Sequence, residues 1–205
     1  TTTADATTGI FSITPSSELS EGLNSLTVTA TDAINNVSAA SSALSITVDT
    51  TAPTQPAITT TTTLTSDATP TIEGTAEAGS TVTLFVDGVT TGITTTADNN
   101  GVFSMPTPTL ADNNYSLSVT ATDAQGNTSS ASSALSITVD TTAPAAPTFT
   151  TTDTTTNETT PIIIGTAEAG STVELFNGND SLGTTTADAT TGIFSITPSS
   201  ELSEG

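Results

Sequence analysis

Along much of the chain, apolar residues and small polar residues alternate with a period of two. The segments 81–85, 116–121 and 134–139 all show this alternation. Because successive side chains of a strand point to opposite faces of a sheet, the alternation indicates strands with one buried face, and Thr, Val and Ile suit such a surface. No segment has the apolar period of about 3.6 residues that a helix requires, so the pattern predicts an all-β protein.

Turn sequences separate the alternating runs and set the number of strands. The segments 87–88, 99–101 and 125–127 combine Asp or Asn with Gly, as tight turns do. Seven short strands in a domain of about 100 residues are typical of a two-sheet, immunoglobulin-like sandwich, here without the Cys and Trp markers of antibody domains. Between residues 52 and 140 we predict strands near 56–60, 70–75, 80–86, 92–97, 101–105, 114–122 and 133–139.

The apolar positions of these strands define a predicted core. Tyr115 stands where sandwiches often carry a corner tyrosine. The repeat described below places Asn24 at the same position, so we interpret Tyr115 as a packing residue. The predicted core consists of Ile72, Val82, Leu84, Phe103, Leu117, Val119, Leu135 and Ile137.

The sequence repeats itself with a shift of 91 residues. Residues 41–53 recur at 132–144, and residues 74–82 recur at 165–173. A period of one small domain predicts immunoglobulin-like modules of about 91 residues arranged end to end. The predicted boundaries are the C-terminal part of a module at 1–49, a complete module at 50–140 and the N-terminal part of a module at 141–205.

A second, longer repeat spans two modules. Residues 1–22 recur without change at 184–205, whereas the middle module differs around 94–113. Alternate modules therefore match, and we expect a longer parent chain in which the sequence after Gly205 resembles Leu23 onward. We expect about four strands in the first partial module and five in the last. Each alone exposes sheet edges and half a core, and we prefer a longer chain to completion by strands from neighbouring chains.

Composition removes several classes of function. The chain has 21 acidic residues and no Lys, Arg, His, Cys or Trp. Nucleic-acid binding needs cationic side chains, zinc and disulfide sites need Cys or His, and Ser-His-Asp chemistry needs its His base. Carboxylate pairs alone could still catalyse glycoside hydrolysis. We predict that the chain is not an enzyme and, since it has no apolar run of about 20 residues, that this segment does not enter a membrane.

No cationic side chain offsets the net charge of −21. Two carboxylates about 4 Å apart repel by about 1 kcal/mol in water and by about 4 kcal/mol near a protein surface. Dispersed charge that only keeps the chain soluble is one explanation. Because acidic residues recur at particular loops, we favour a bound divalent cation with oxygen ligands, namely Ca²⁺.

If the seven antiparallel strands of each module run alternately up and down, the C-terminal end of one module lies beside three loops of the next. Three carboxylates would need carbonyl and water oxygens to complete the six to eight ligands that Ca²⁺ takes. Asp49 and Asp140 could instead cap a turn, and for Asp32 and Asp123 calcium and an Asx turn stay equally open. The candidate ligands are Asp49, Glu77 and Asp98 at the first joint, Asp140, Glu168 and Asp188 at the second, and Asp32 and Asp123 in their own loops.

Three motifs in register carry a family resemblance. They are Thr-Ala-Glu-Ala-Gly-Ser-Thr-Val followed by Leu-Phe at 75–85 and 166–176, Ala-Thr-Asp-Ala-x-x-Asn, and the Val-Asp-Thr-Thr-Ala-Pro joint. They resemble the bacterial Ig-like repeats in the extender region of giant RTX-type adhesins, which are exported by type I secretion. The resemblance covers the whole chain. It implies a calcium-rigidified stalk at the bacterial cell surface, in the extracellular space, whose partners are the neighbouring modules of the array.

Two other functions compete with a stalk. Lateral or end contacts with other copies of the chain would make a self-assembling matrix or surface-layer fibre. Exposed Thr rows could bind glycan or ice, but one Tyr, six Phe and no Trp offer little for stacking against sugars. We therefore favour an extender, with the fibre as the alternative.

Overall fold

The computed structural model describes residues 1–152 and 155–203. Within these ranges every regular element is a strand and none is a helix, so the predicted all-β class is confirmed. The chain divides into two compact units, Thr1–Asp140 and Thr141–Gly205.

The first partial module contains one antiparallel pair, β1 (Gly22–Leu26) and β2 (Leu44–Val48). The expectation of about four strands in 1–49 is therefore wrong. Residues 10–13 have the alternating pattern, but no strand of the described chain pairs with them, and Phe11 and Ile13 remain 49% and 47% exposed. An alternating segment without a partner cannot satisfy its backbone groups in a ladder.

The complete module is a sandwich of two sheets. One sheet has the order β3-β5-β8, and the other has the order β4-β10-β9-β6-β7. Buried residues from both sheets form one apolar cluster, which confirms the predicted immunoglobulin-like sandwich. The strands are β3 (Ala57–Ile58), β4 (Leu64–Thr65), β5 (Thr71–Thr75), β6 (Thr81–Val86), β7 (Val89–Thr96), β8 (Val102–Pro106), β9 (Asn113–Thr122) and β10 (Leu135–Val139).

The structure adds a strand that the pattern did not predict. β3 pairs with β5 in one sheet, while β4 pairs in parallel with β10 in the other, with Leu64 opposite Thr138. The chain thus crosses between the sheets within a run of Thr residues. Two-residue strands carry too little alternation to be recognised, and the parallel partner of β4 lies at the far end of the module in sequence.

The core agrees with prediction at seven of its eight positions. Leu135 is the exception: it is the first residue of β10, at the margin of the sheet, and it is only partly buried against the cluster. Met105 and Ala97 join the cluster instead. Full burial of one large aliphatic side chain contributes about 1.5–3 kcal/mol, so this cluster is the main stabilising element of the module. The seven confirmed positions are Ile72, Val82, Leu84, Phe103, Leu117, Val119 and Ile137.

Tyr115 does more than pack. Its ring lies against the core cluster, and its Oη donates to the carbonyl of Ala111 at 3.1 Å. This is the corner hydrogen bond of a sandwich, so the interpretation of Tyr115 as a packing residue alone is wrong. At the equivalent place of the first partial module, Asn24 Nδ2 donates to the carbonyl of Ser20 at 2.7 Å.

The unit 141–205 contains five strands among its described residues, as the pattern predicts. They form two sheets, β11-β12-β15 and β13-β14. Val173, Phe194 and Ile196 are buried between them. The strands are β11 (Thr148–Phe149), β12 (Ile163–Thr166), β13 (Thr172–Asn177), β14 (Asp180–Thr186) and β15 (Ile193–Ile196).

Candidate functional site

The linker that joins the first partial module to the complete module is held by a carboxylate. Glu21 precedes β1, and its Oε2 accepts hydrogen bonds from the Thr50 hydroxyl at 2.6 Å and the Thr50 amide at 3.0 Å. Together these bonds hold the pKa of Glu21 below its usual value, and the bond from the Thr50 hydroxyl has the larger effect. The Thr51 hydroxyl adds a longer contact to Oε1 at 3.4 Å. The linker is thus attached to the module that precedes it.

A side-chain amide attaches the same linker to the module that follows it. Asn127 lies in the loop between β9 and β10, and its Nδ2 donates to the Asp49 carbonyl at 3.1 Å and to Asp123 Oδ2 at 2.8 Å. Asp123 Oδ1 accepts from the amides of Gln125 and Asn127 at 2.9 and 2.8 Å. The Asp123 carboxylate therefore orients the amide that reaches the linker.

Burial has the largest single influence on Asp123 and would raise its pKa. The hydrogen bonds from the Asn127 side chain, the Asn127 amide and the loop amides together outweigh it, so the pKa of Asp123 is lowered. The ionised form is therefore the one that the loop stabilises.

The rest of the linker is packed. Pro53 and Pro56 are buried, and Gln55 Nε2 donates to the carbonyl of Ala131. Pro restricts both its own backbone and that of the residue before it. Together with the bonds to Glu21 and Asn127, these contacts attach the segment 49–56 at several points along its length.

The predicted calcium ligands are mostly engaged in local turns. Asp49 Oδ1 accepts from the Thr51 amide at 3.1 Å, which is the turn-capping alternative. Asp32 Oδ1 accepts from the amides of Ile34 and Asn36 at 3.0 and 2.8 Å. The bonds from the Asn36 amide and side chain lower the pKa of Asp32 against an opposing contribution from burial. Asp32 and Asp123 therefore both make the Asx-turn bonds that the sequence left open.

Asp98 and its counterpart Asp188 behave alike in the two units. Asp98 Oδ1 accepts from the amides of Val102 and Asn100, each at 2.8 Å, and these bonds lower its pKa. Asp188 Oδ1 accepts from the Thr191 amide and hydroxyl and from the Thr190 amide, and its pKa is lowered too. Each carboxylate closes the turn that precedes a strand.

The glutamates lie in exposed turns. The main-chain carbonyl of Glu77 accepts from the Ser80 hydroxyl at 2.7 Å, and that of Glu168 accepts from the Ser171 hydroxyl at the same distance. Their side chains are exposed. Asp140, at the end of the complete module, donates its amide to the Thr65 carbonyl at 2.9 Å.

No group of three or more acidic residues in 1–152 and 155–203 is arranged to hold a metal ion. The structure thus does not gather Asp49, Glu77 and Asp98 into a preformed site. Asp140 belongs to the first unit, and Glu168 and Asp188 to the second. The calcium assignment stays a prediction.

The residues that hold the linker were not among the predicted ones. Glu21 has an acidic counterpart in Asp112, just before the equivalent strand, and Asn127 has one in Asn36, within the repeated Ala-Thr-Asp-Ala-x-x-Asn motif. Recurrence was therefore available as a signal for both. It did not reveal that they contact residues 49–51.

The sequence matches the bacterial Ig-like domain family over residues 1–50 and 54–141. These matches cover more than half of the chain. The chain therefore belongs to the bacterial Ig-like domain family. The chain is also similar to a solved structure titled "Biofilm associated protein - BSP domain", at 21% identity with a TM-score of 0.29, over 74% of this chain and 25% of the other. It thus spans a quarter of that protein's length.

No curated protein shows significant similarity to the sequence. Among the described residues there is no helix of the length and apolar character that crossing a membrane demands.

Proposed function

We propose that this chain is part of the structural extender, or stalk, of a large RTX-type adhesin at the bacterial cell surface, and that it has no enzymatic role. The linker 49–56 carries the proposal, because Glu21 binds it from the preceding module and Asn127 binds it from the following one. In a stalk each repeat has to keep a fixed orientation relative to the next. A hydrogen-bonded linker with buried prolines restricts that orientation more than a flexible linker does.

The dimensions of the strands suit the same role. β9 has 10 residues, and at about 3.4 Å per residue a strand of that length spans about 34 Å. In an array whose modules contact only their neighbours, reach grows with the number of copies. Repetition of one module every 91 residues is therefore an economical way to build length.

We propose further that Ca²⁺ stiffens the joints. The support is electrostatic, since 21 acidic residues have no cationic side chain to pair with. Because the described residues offer no cluster of three carboxylates, an ion would be held by one or two of them with main-chain and water oxygens. Sites of extracellular modules bind calcium with dissociation constants of about 10⁻⁴–10⁻³ M.

The extender role is tested by the order of the linker in the full chain. Backbone ¹⁵N relaxation should give the amides of Thr50, Thr51 and Gln55 order parameters near those of β9, about 0.85, rather than below about 0.6 as in flexible segments. Linker values in the flexible range would contradict the proposal. The β9 amides in the same spectrum serve as the internal reference.

The calcium role is tested by thermal unfolding in millimolar CaCl₂, with NaCl of equal ionic strength as the control for screening. At ten times its dissociation constant, one site in the folded state adds about 1.4 kcal/mol. We expect a higher Tm in CaCl₂ than in NaCl, reversed by chelator. Equal Tm values in the two salts would remove calcium from the proposal and leave the bonded linker intact.

A further inference from the structure

One sheet of the second compact unit has an apolar outer face. The chain enters β12 through the sequence Pro-Ile-Ile-Ile-Gly at 161–165. Ile163 packs against the apolar cluster, whereas Ile162 and Ile164 are 61% and 42% exposed. Ile193 of β15 lies on the same outer face and is 51% exposed. Antiparallel sheets commonly present polar residues to solvent. The three exposed isoleucines 162, 164 and 193 therefore form an unusual surface, the isoleucine patch.

The complete module has polar residues at two of these positions. Its corresponding segment, at 70–74, is Pro-Thr-Ile-Glu-Gly. Thr71 and Glu73 thus stand where the patch has Ile162 and Ile164, and the inward isoleucine between them is kept. Because only the outward positions differ, the core of the module does not require the two exposed isoleucines.

The exposure of the patch is independent of the ends of the chain. The sheet β11-β12-β15 has the same three strands as β3-β5-β8 of the complete module. In that module, which has both of its sheets, the corresponding outer face is exposed at Thr71, Glu73 and Val102. A module with all its strands therefore leaves this face open to solvent.

The patch is a diagonal row with Ile164 in the middle. Ile162 lies two residues before it, about 6.8 Å away at the usual rise of a strand. Ile193 is opposite Thr166 in the ladder, so it is the diagonal neighbour of Ile164, about 7–8 Å away. A row of this form is self-complementary about a two-fold axis, because Ile162 of one copy can contact Ile193 of another while their Ile164 side chains meet.

Charge favours this face for a contact between copies. Each copy carries a charge of −21 without a cationic side chain, so two copies repel wherever their carboxylates approach. β11, β12 and β15 contain no acidic residue, whereas the other sheet of the unit carries the exposed Glu174 in β13. A cationic partner would be drawn to the acidic loops and would gain nothing from a neutral patch.

We propose that the isoleucine patch binds the same patch of a second copy of this chain. The contact is two-fold, with identical residues on both sides. Sheets that pack face to face lie about 10 Å apart, a distance at which the isoleucines of the two copies touch. Three side chains bury far less than the about 800 Å² per partner of a standard interface, so a single contact is weak.

The longer repeat multiplies this weak contact. Residues 1–22 recur at 184–205, a shift of 183 residues, which makes Ile10 and Ile193 the same position in alternate modules. An array with this repeat presents one patch in every second module. When two arrays lie side by side, each further contact is intramolecular, and the avidity exceeds the single affinity by about 10²–10⁴-fold. The association is lateral, and it requires neither calcium nor a rigid linker.

Association is tested by sedimentation of the full chain over rising concentration. The wild type should dimerise, and the double variant Ile162→Thr, Ile164→Glu should raise the dissociation constant about tenfold or more, because it places a carboxylate in the contact. The complete module carries Thr and Glu at these positions, so the fold accepts them. Thr83→Glu is the matched control: it adds the same charge where the second unit has Glu174, and it should dimerise like the wild type.

Two outcomes of this experiment would overturn the proposal. One is a wild type that stays monomeric at every concentration, which would leave the patch to a different kind of partner. The other is a double variant that associates as strongly as the wild type, which would place the contact elsewhere on the chain.

The reverse exchange tests whether the patch is sufficient. Thr71→Ile with Glu73→Ile gives the complete module the sequence Pro-Ile-Ile-Ile-Gly beside Val102, which is already 50% exposed. The chain then carries two patches and should form oligomers larger than the dimer of the wild type. An unchanged size distribution would contradict the assignment of the contact to these positions.

The two-fold geometry is tested by thiol cross-linking, because the chain has no Cys. Ile164→Cys is treated with a bis-maleimide that spans about 10 Å, the spacing of face-to-face sheets, and should give a covalent dimer on a denaturing gel. Glu73→Cys, at the same position of the complete module, is the control and should give several-fold less. Equal yields would overturn the contact at Ile164.

Discussion

The side-chain amide of Asn127 donates a hydrogen bond of 3.1 Å to the main-chain carbonyl of Asp49, 78 residues earlier in the chain. Asp49 ends one module and Asn127 lies in a loop of the next. The bond requires that loop to keep its conformation, which Asp123 ensures by accepting hydrogen bonds from the loop amides and from the Asn127 side chain. Local turn chemistry and the attachment of the linker are thereby coupled.

Replacing Asn127 with Ala should loosen the linker. The variant loses the bond to the Asp49 carbonyl and the side-chain bond to Asp123, and a net loss of roughly 1 kcal/mol per intramolecular hydrogen bond is typical. We expect faster hydrogen exchange at the amides of Thr50 and Thr51 and a lower free energy of unfolding in urea.

Asn36→Ala is the matched control for this variant. Asn36 makes the equivalent bond to Asp32 Oδ2 at 2.8 Å, and it belongs to the corresponding loop of the first partial module. It should leave the exchange of Thr50 and Thr51 unchanged. Equal effects of the two substitutions on these amides would contradict a specific role of the bond from Asn127 to the Asp49 carbonyl.

Replacing Tyr115 with Phe should remove the corner hydrogen bond and keep the packing of the ring. The hydroxyl donates to the Ala111 carbonyl at 3.1 Å, and we expect a loss of about 0.5–1.5 kcal/mol in the free energy of unfolding. Urea denaturation followed by the NMR signals of the complete module measures it. A Phe variant as stable as the wild type would mean that solvent satisfies the Ala111 carbonyl equally well.

Gly74→Ala should destabilise the complete module because the space beside Gly74 is filled. Gly74 lies opposite Phe103 in the ladder of β5 and β8. An added Cβ would meet the Ala57 carbonyl oxygen at 2.2 Å and a ring carbon of Phe103 at 2.4 Å. Overpacking of this kind typically costs about 1–3 kcal/mol.

Thr75→Ala, at the next and exposed residue of β5, is the control for Gly74→Ala and should change stability by no more than about 0.5 kcal/mol. Both variants can be compared by thermal unfolding in the same buffer. Similar Tm values for the two would contradict the role assigned to the close approach of Phe103.

The pH dependence of the Asp98 turn follows from its hydrogen bonds. The Val102 and Asn100 amides lower the pKa of Asp98 in the folded chain. The ionised carboxylate therefore contributes stability above the unfolded pKa, which is about 3.9 for Asp, and this contribution is lost as the pH falls through the lower folded pKa. In an NMR titration the Val102 amide should shift with a midpoint below about 3.9.

Asp98→Asn controls this titration, because it keeps an oxygen that can accept the amide bond and removes the proton equilibrium. In this variant the Val102 amide should no longer titrate in the acid range. A wild-type midpoint at or above the ordinary value for Asp would contradict the assignment.

Much of the fold could be predicted from alternation and turns, since these depend on neighbours in sequence. The core positions of β6 and β9 follow from their period of two. β4 could not be predicted in this way, because a strand of two residues shows no period and its partner, β10, lies far along the chain. Leu135 fits the apolar pattern, yet its place at the first residue of β10 leaves it partly exposed.

The site was predicted less well for a related reason. Recurring acidic residues drew attention to the Asp123 loop, whose Asn127 contacts the linker, but the calcium role assigned to those acidic residues stays a prediction. Whether an Asp at a turn uses its oxygens locally or shares them with a distant group depends on the three-dimensional surroundings. Asp98 and Asp123 use theirs for nearby amides, whereas Glu21 binds Thr50, 29 residues away.

Residues 1–22 and 184–205 are identical, and they separate what the sequence alone determines from what it does not. Asp5 and Asp188 make the same turn, each accepting from the amides two and three residues on, at 3.0 and 2.7 Å and at 3.0 and 2.8 Å. These bonds need only neighbours within the segment, so the sequence by itself determines the turn.

The apolar residues after that turn have two different fates. Phe194 and Ile196 lie in β15, paired with β12, and are 2% and 5% exposed, whereas Phe11 and Ile13 lie in no strand and are 49% and 47% exposed. A strand needs the hydrogen-bonding groups of a neighbour and an apolar face to pack against. Only the tertiary structure decides whether those are present.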